Sequence, residues 1–109
     1  MREALEKLLA GGREDALLRF SLGNACLKEG DAAAAAEHFR RAVALDTGYS
    51  AAWKMLGRAL EEDGRLAEAA GAWQRGIAAA EARGDLQAGK EMQVFLRRVR
   101  RRMEPGEGE

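Results

Sequence analysis

The chain has 109 residues, in which 18 lysine and arginine residues balance 18 aspartate and glutamate residues. This length suits one compact domain, and the balanced charge excludes a global field that would draw the chain onto nucleic acid or an anionic membrane. The single cysteine, Cys26, cannot form an internal disulfide, and no cysteine and histidine cluster has the spacing of a zinc site. We therefore expect one domain in a reducing compartment, with no metal and no cofactor.

The N-terminal residues argue against export. Arg2, Glu3, Glu6 and Lys7 interrupt the leucines of the first ten residues, so this stretch lacks the apolar core of a signal peptide. No apolar run along the chain approaches the length that spans a bilayer. We expect a cytoplasmic protein that does not insert into a membrane.

Composition predicts an all-α fold, because alanine, leucine, glutamate and arginine dominate and there is one proline, Pro105. Glycines fall where the apolar periodicity stops, which is typical of helix ends. Asp31 and Asp85 each follow a glycine, where an aspartate can cap the next helix. The predicted helices cover, in chain order, residues 2–10, 14–29, 32–46, 50–63, 66–83 and 85–103. The acidic stretch 104–109 has no apolar residues to bury, so we expect a disordered tail.

The sequence repeats itself at an offset of 34 residues. Leu22, Gly23, Gly30, Ala35 and Phe39 correspond to Leu56, Gly57, Gly64, Ala69 and Trp73. A high alanine content inflates such a match, but it does not produce paired glycines or an aromatic pair. We therefore predict two helical hairpins, at about residues 13–46 and 47–80, within a single domain that covers residues 1–103.

The second hairpin carries large and small residues at the signature spacings of the tetratricopeptide repeat, which it resembles. These residues are Trp53, Leu56, Gly57, Leu60, Gly64, Ala69 and Trp73. The first hairpin departs from the family pattern at Arg19 and Cys26, where the family prefers large aromatic residues, and both repeats lack the terminal proline. The resemblance implies a right-handed α-solenoid of antiparallel hairpins. Its predicted caps are the helices at 2–10 and 85–103, and the last one is displaced from the repeat register.

The resemblance also implies a function and a site. The first helix of each hairpin would line a concave groove that binds a partner peptide or helix, so the protein would be an interaction scaffold or adaptor. The groove positions are Leu17, Phe20, Asn24, Leu27 and Lys28 in the first repeat, and Ala51, Lys54, Arg58, Glu61 and Glu62 in the second. One wall is apolar and the other is charged.

Several groove residues have alternative interpretations. Phe20 is predicted either to anchor a partner side chain or to contact the N-terminal helix. Lys54 and Arg58 could meet an acidic partner or pair with the neighbouring glutamates, and for exposed charges the pairing is favoured. The carboxylate clamp of some family members is not predicted, because Phe20 and Met55 replace a lysine and an asparagine.

A basic cluster lies at the end of the last predicted helix. It consists of Arg97, Arg98, Arg100, Arg101 and Arg102. Such a cluster could bind nucleic acid or an acidic protein surface. Alternatively, its cations are stabilised at a helix C-terminus and balanced by Glu104, Glu107 and Glu109. We favour the second interpretation, because no aromatic residues are interleaved for base stacking. A nucleic-acid-associated helper is therefore the alternative function.

The sequence offers no catalytic constellation. His38 is the only histidine and has no serine or cysteine nucleophile at a matching helical spacing. Cys26 replaces a core residue of the repeat and is interpreted as a small, buried apolar side chain. We expect no enzymatic activity. A hairpin face that the caps cover incompletely could self-associate. The sequence is therefore compatible with a monomer or a weak homodimer.

Overall fold

The computed structural model describes residues 1–105, and within that range every regular element is a helix. The helices are α1 (Arg2–Ala10), α2 (Ala16–Lys28), α3 (Ala32–Leu45), α4 (Ser50–Glu62), α5 (Leu66–Arg83) and α6 (Leu86–Met103). The predicted all-α fold is confirmed. Residues 106–109, most of the predicted acidic tail, lie outside the described residues.

Side-chain caps and glycines define the helix ends. Asp15, Asp31 and Asp85 each accept a hydrogen bond from the backbone N–H three residues later, at 2.7, 3.2 and 3.3 Å. Each such cap stabilises a helix by about 1 kcal/mol. Gly64 and Gly84 adopt positive φ angles of 77° and 75°, two residues after the end of α4 and directly after the end of α5. This backbone conformation ends a helix and suits glycine, because it has no Cβ.

The helices form two antiparallel hairpins, α2 with α3 and α4 with α5, and α4 also packs against α3. Each hairpin is held close by a glycine that faces an aromatic ring. A Cβ atom added to Gly23 would overlap the ring of Phe39, and one added to Gly57 would overlap the indole of Trp73. Both rings are fully buried. The matched glycines and aromatics of the 34-residue period are therefore the packing contacts of the two hairpins.

The N-terminal helix covers less of the first hairpin than the sequence suggested. α1 packs against α2 and not against α3, and none of its nine residues is buried. Arg2 holds the start of α1 in place by hydrogen bonds to Glu29 and Asp31, at 3.1 and 3.2 Å. α1 therefore caps α2 alone, through the half-buried side chains of Leu5 and Leu9.

The C-terminal helix takes the place of the first helix of a third hairpin, in a shifted register. α6 packs against α5 and α4, and four of its five buried residues correspond to buried residues of α4 at an offset of 36 residues. Ala88, Gly89, Met92 and Leu96 correspond in this way to Ala52, Trp53, Leu56 and Leu60. The shift of two residues arises because α5 has 18 residues and α3 has 14, while the linker before α6 is two residues shorter than that before α4.

The side of α6 that carries Gln93 is exposed. Gln93 lies at the position that Gly57 occupies in α4, and it is exposed. A glycine is needed at Gly57 because α5 packs there, whereas no described helix packs on the corresponding side of α6. An exposed polar residue at this position agrees with the prediction that the last helix is a cap.

Candidate partner-binding groove

The predicted groove residues belong to two helices that lie side by side. α4 packs against α2 on one side and against α6 on the other. We use the name groove face for the surface formed by the predicted residues of α2 and α4. The side chains of the two walls differ in whether they already contact other residues of the chain.

The α2 wall is apolar and partly pre-packed. Leu17 is 60% exposed, whereas Phe20 and Leu27 are half-buried against the core. The Phe20 ring centroid lies 5.8 Å from that of Phe39 and 5.0 Å from that of Tyr49. Its aromatic neighbours therefore come from α3 and from the residue before α4, which the sequence did not reveal. These contacts hold the ring in place while leaving part of it accessible.

The N-terminal helix reaches one edge of the groove face. Asn24, which is half-buried, and Lys28, which is exposed, lie beside Met1 and Leu5 of the first segment around a hollow of about 360 Å³. Leu5 was not among the predicted groove residues. Its proximity to Asn24 follows from the docking of α1 on α2, which has no signal in the repeat period.

The α4 wall forms ion pairs that the sequence did not predict. Lys54 Nζ lies 3.0 Å from Glu91 Oε1, and Arg102 Nη1 lies 3.0 Å from Glu61 Oε2. The hydrogen bond from Lys54 lowers the pKa of the Glu91 carboxyl group. The predicted pairing of Lys54 with the glutamates of its own helix is therefore wrong, because α6 supplies the closer partners.

Arg58 and Glu62 differ from their neighbours on α4. Both side chains are exposed, and neither forms an ion pair with any residue in the range 1–105. The alternative in which Arg58 is neutralised by Glu61 or Glu62 is thus not what the structure contains. Arg58 is an accessible guanidinium on the α4 wall of the groove face.

The basic cluster at the end of α6 is only partly engaged. Arg102 pairs with Glu61, and the Arg98 guanidinium lies 5.3 Å from the centroid of the Phe95 ring. Arg97 and Arg101 are exposed and surround, with Val94 and Arg98, a hollow of about 180 Å³. Arg100 is also exposed. Of the glutamates expected to balance the cluster, Glu104 forms no ion pair with a described residue, and Glu107 and Glu109 lie outside the described range.

Arg19, which departs from the family pattern, takes part in a polar contact instead of aromatic packing. Its guanidinium lies 2.9 Å from Glu14 Oε1 and 3.1 Å from His38 Nδ1. Burial and the Arg19 charge lower the pKa of His38, so the neutral ring accepts the hydrogen bond at Nδ1 and carries its proton on Nε2. His38 is thereby engaged in a structural contact.

The remaining candidates for chemistry are inert in this arrangement. Cys26 is fully buried, and burial raises the pKa of its thiol, which disfavours the reactive thiolate. Within residues 1–105, no histidine, cysteine, aspartate and glutamate side chains gather in a group that could hold a metal ion. None of the described helices is long and apolar enough to cross a membrane.

The surface between α3 and α5 carries side chains that already contact one another. Two adjoining hollows of about 220 and 280 Å³ lie between α3 and α5, above Trp53. Arg40 bridges them through a 2.8 Å ion pair with Glu68, and the Arg75 guanidinium lies 5.8 Å from the Trp53 ring centroid. The side of the molecule opposite the groove face thus has its charges and its tryptophan already in contact.

This architecture resembles that of known proteins. A family profile described as "Tetratricopeptide repeat" matches residues 26–91. The TPR repeat-containing protein PA0015 of Pseudomonas aeruginosa is 54% identical over 101 residues, which cover 93% of this chain and 96% of the relative.

Two solved structures show the same fold. The solution structure of protein BPP2914 from Bordetella parapertussis is 47% identical, with a TM-score of 0.79 over 94% of this chain and 89% of that one. A tetratricopeptide repeat domain protein from Salinibacter ruber, solved by NMR, is 25% identical, with a TM-score of 0.75 over 88% and 96% of the two chains. With its glycine–aromatic hairpins and these matches, the chain belongs to the tetratricopeptide repeat family.

Proposed function

We propose that this chain is a protein-interaction module, an adaptor or scaffold, that binds a segment of a partner protein on the groove face. Tetratricopeptide repeats generally mediate interactions between proteins. The observation that carries the proposal is that an apolar side chain and a charged side chain are both accessible on adjacent helices. Leu17 of α2 and Arg58 of α4 are exposed, and Arg58 has no ion-pair partner among residues 1–105.

The apolar wall is suited to anchor a partner side chain. Phe20 is held by Phe39 and Tyr49 at centroid distances of 5.8 and 5.0 Å. A ring that is already fixed loses little conformational freedom on binding, so more of the contact energy remains as affinity. Leu17 beside it adds accessible apolar area. Anchors of this kind contribute much of the binding energy in protein interfaces.

The proposal describes a cytoplasmic module without enzymatic activity or a cofactor. His38 is engaged with Arg19, and Cys26 is buried with a raised pKa. The alternative function, a nucleic-acid-associated helper, draws support from Arg100 and Arg101, which are exposed and form no ion pair with a described residue. We favour the protein partner because the groove face has accessible apolar side chains. Such side chains contribute little to binding a phosphate backbone, which is held mainly by cations.

A quantitative pull-down tests the groove face. We expect Leu17→Ala and Arg58→Glu each to reduce capture of a specific partner from native lysate by about tenfold, the effect of losing an interface residue worth about 1.4 kcal/mol. Leu86→Ala is the matched control for Leu17, because Leu86 is 69% exposed at the start of α6. Arg75→Glu is the control for the charge reversal, since Arg75 lies above Trp53.

All four variants must first show unchanged circular dichroism and unfolding midpoints, which separates loss of binding from loss of fold. Retention of every partner by both groove variants would contradict the proposed function. So would an equal loss in the two controls, because that would place the interaction elsewhere.

A further inference from the structure

We infer that α6 extends the groove face as a third wall, and that the partner segment bound there is acidic where it meets α6. This inference rests on the proposed function and specifies the chemistry of the partner. It brings together the groove and the basic cluster, which the sequence presented as alternatives.

The register of α6 decides which of its residues join the groove face. A direct continuation of the 34-residue period would place Ala88, Met92 and Leu96 there, but all three are buried. The 36-residue offset that matches the burial of α4 instead places other residues beside the groove. Lys90, Val94, Arg97 and Arg98 then correspond to Lys54, Arg58, Glu61 and Glu62, and all four are exposed.

The ion pairs between α4 and α6 support this placement independently. Lys54 and Glu61, both predicted groove residues, contact Glu91 and Arg102 of α6 at 3.0 Å each. Side chains on the groove face of α4 therefore meet side chains of α6 directly. The two helices present one continuous surface, in which Val94, 48% exposed, adds an apolar position between cations.

These ion pairs also determine the charge of the extended surface. They neutralise Glu61, whose side chain is only 17% exposed, and Glu91. Glu62 is then the one exposed carboxylate at these positions without an ion pair in the described range. The cations without an ion pair there are Arg58, Lys90, Arg97 and Arg98. The surface is locally cationic although the whole chain has 18 basic and 18 acidic residues.

An acidic peptide suits this surface better than a nucleic acid does. Carboxylates form strong, often bidentate hydrogen bonds with free guanidinium groups. Single-stranded nucleic acid, in contrast, also uses open aromatic faces for base stacking, and Phe95 of α6 already has the Arg98 guanidinium 5.3 Å from its ring centroid. The occupant we infer is a peptide with apolar residues toward α2 and aspartate or glutamate toward α6.

Selection from a phage-displayed library of random linear peptides tests this inference without knowledge of the natural partner. The immobilised bait is the full chain, and enriched peptides are sequenced and then synthesised for fluorescence anisotropy. We expect enrichment of aspartate and glutamate over lysine and arginine, together with apolar residues. Affinity should fall as the salt concentration rises, because exposed charges are screened.

Charge reversal on α6 provides the matched comparison. Arg97→Glu should weaken the selected peptide by about tenfold, because it removes one charge-assisted contact and adds a repulsion. Arg75→Glu makes the same change on α5, where Arg75 lies above Trp53 beside the hollow between α3 and α5. We expect this control to change the affinity by less than about twofold, since a surface charge that does not touch the peptide contributes little.

The outcomes separate this inference from the proposed function. Peptides that lose affinity with Leu17→Ala and Arg58→Glu, but are not acidic and ignore Arg97→Glu, would overturn the inference and leave the proposed function standing. A library without any groove-dependent peptide would overturn both. Tighter binding of a single-stranded oligouridine RNA, lost with Arg97→Glu, would also overturn the inference and identify nucleic acid as the occupant.

Discussion

Replacing Trp73 with alanine is expected to lower the free energy of unfolding by about 3–5 kcal/mol, the range for removing a large buried aromatic side chain. Trp73 is fully buried, faces Gly57 of α4, and lies 5.4 Å from Phe95 of α6 between ring centroids. Its indole N–H donates to the Lys54 carbonyl at 3.1 Å. The substitution therefore leaves a cavity where three helices meet.

Urea unfolding followed by circular dichroism measures this effect. Small domains have a total stability of about 5–15 kcal/mol, so the alanine variant should be close to unfolded or show a much earlier transition. Trp73→Phe is the control, because Phe39 shows that a phenyl ring fits opposite a glycine in the first hairpin. It should lose clearly less stability. An alanine variant within about 1 kcal/mol of the wild type would contradict the central role of this ring.

Gly57→Ala should destabilise the protein by about 1–3 kcal/mol, the usual cost of forcing extra volume into a packed core. Intrinsic propensity alone would favour alanine in a helix by about 0.5–1 kcal/mol. Packing overrides that preference here, because the new Cβ would overlap the indole of Trp73. The indole cannot easily retreat, since it is buried and hydrogen-bonded to the Lys54 carbonyl.

Gly71→Ala supplies the matched control for this substitution. Gly71 is in the middle of α5, and a Cβ atom there would meet nothing within 4 Å. Without a clash, only the helix preference remains, so this variant should be more stable than the wild type by about 0.5–1 kcal/mol. The two variants are thus expected to move in opposite directions in urea unfolding. A stabilised Gly57→Ala protein would show that the hairpin is not closely packed at this glycine.

The candidate site was only partly predictable from the sequence. The positions of Leu17 and Arg58 on the first helices come from the family resemblance, and the structure finds both side chains exposed. The partners of Lys54 and Glu61 were missed, because helical spacing reveals only neighbours one turn away. Their actual partners, Glu91 and Arg102, are separated from them by 37 and 41 residues and become neighbours only when α6 packs against α4.

The sequence by itself determined the helical class and the two hairpins. A Cβ atom at Gly23 or Gly57 would overlap the aromatic ring of the facing helix, so the pairs Gly23–Phe39 and Gly57–Trp73 recur at the spacing of the repeat. Only the tertiary structure decided how the last helix sits. The longer α5 and the shorter linker shift the register of α6 by two residues relative to α4. The buried face of α6 then packs against both α4 and α5. That packing determines which arginines lie beside the groove face. A register shift of two residues rotates the side chains about the helix axis by more than half a turn.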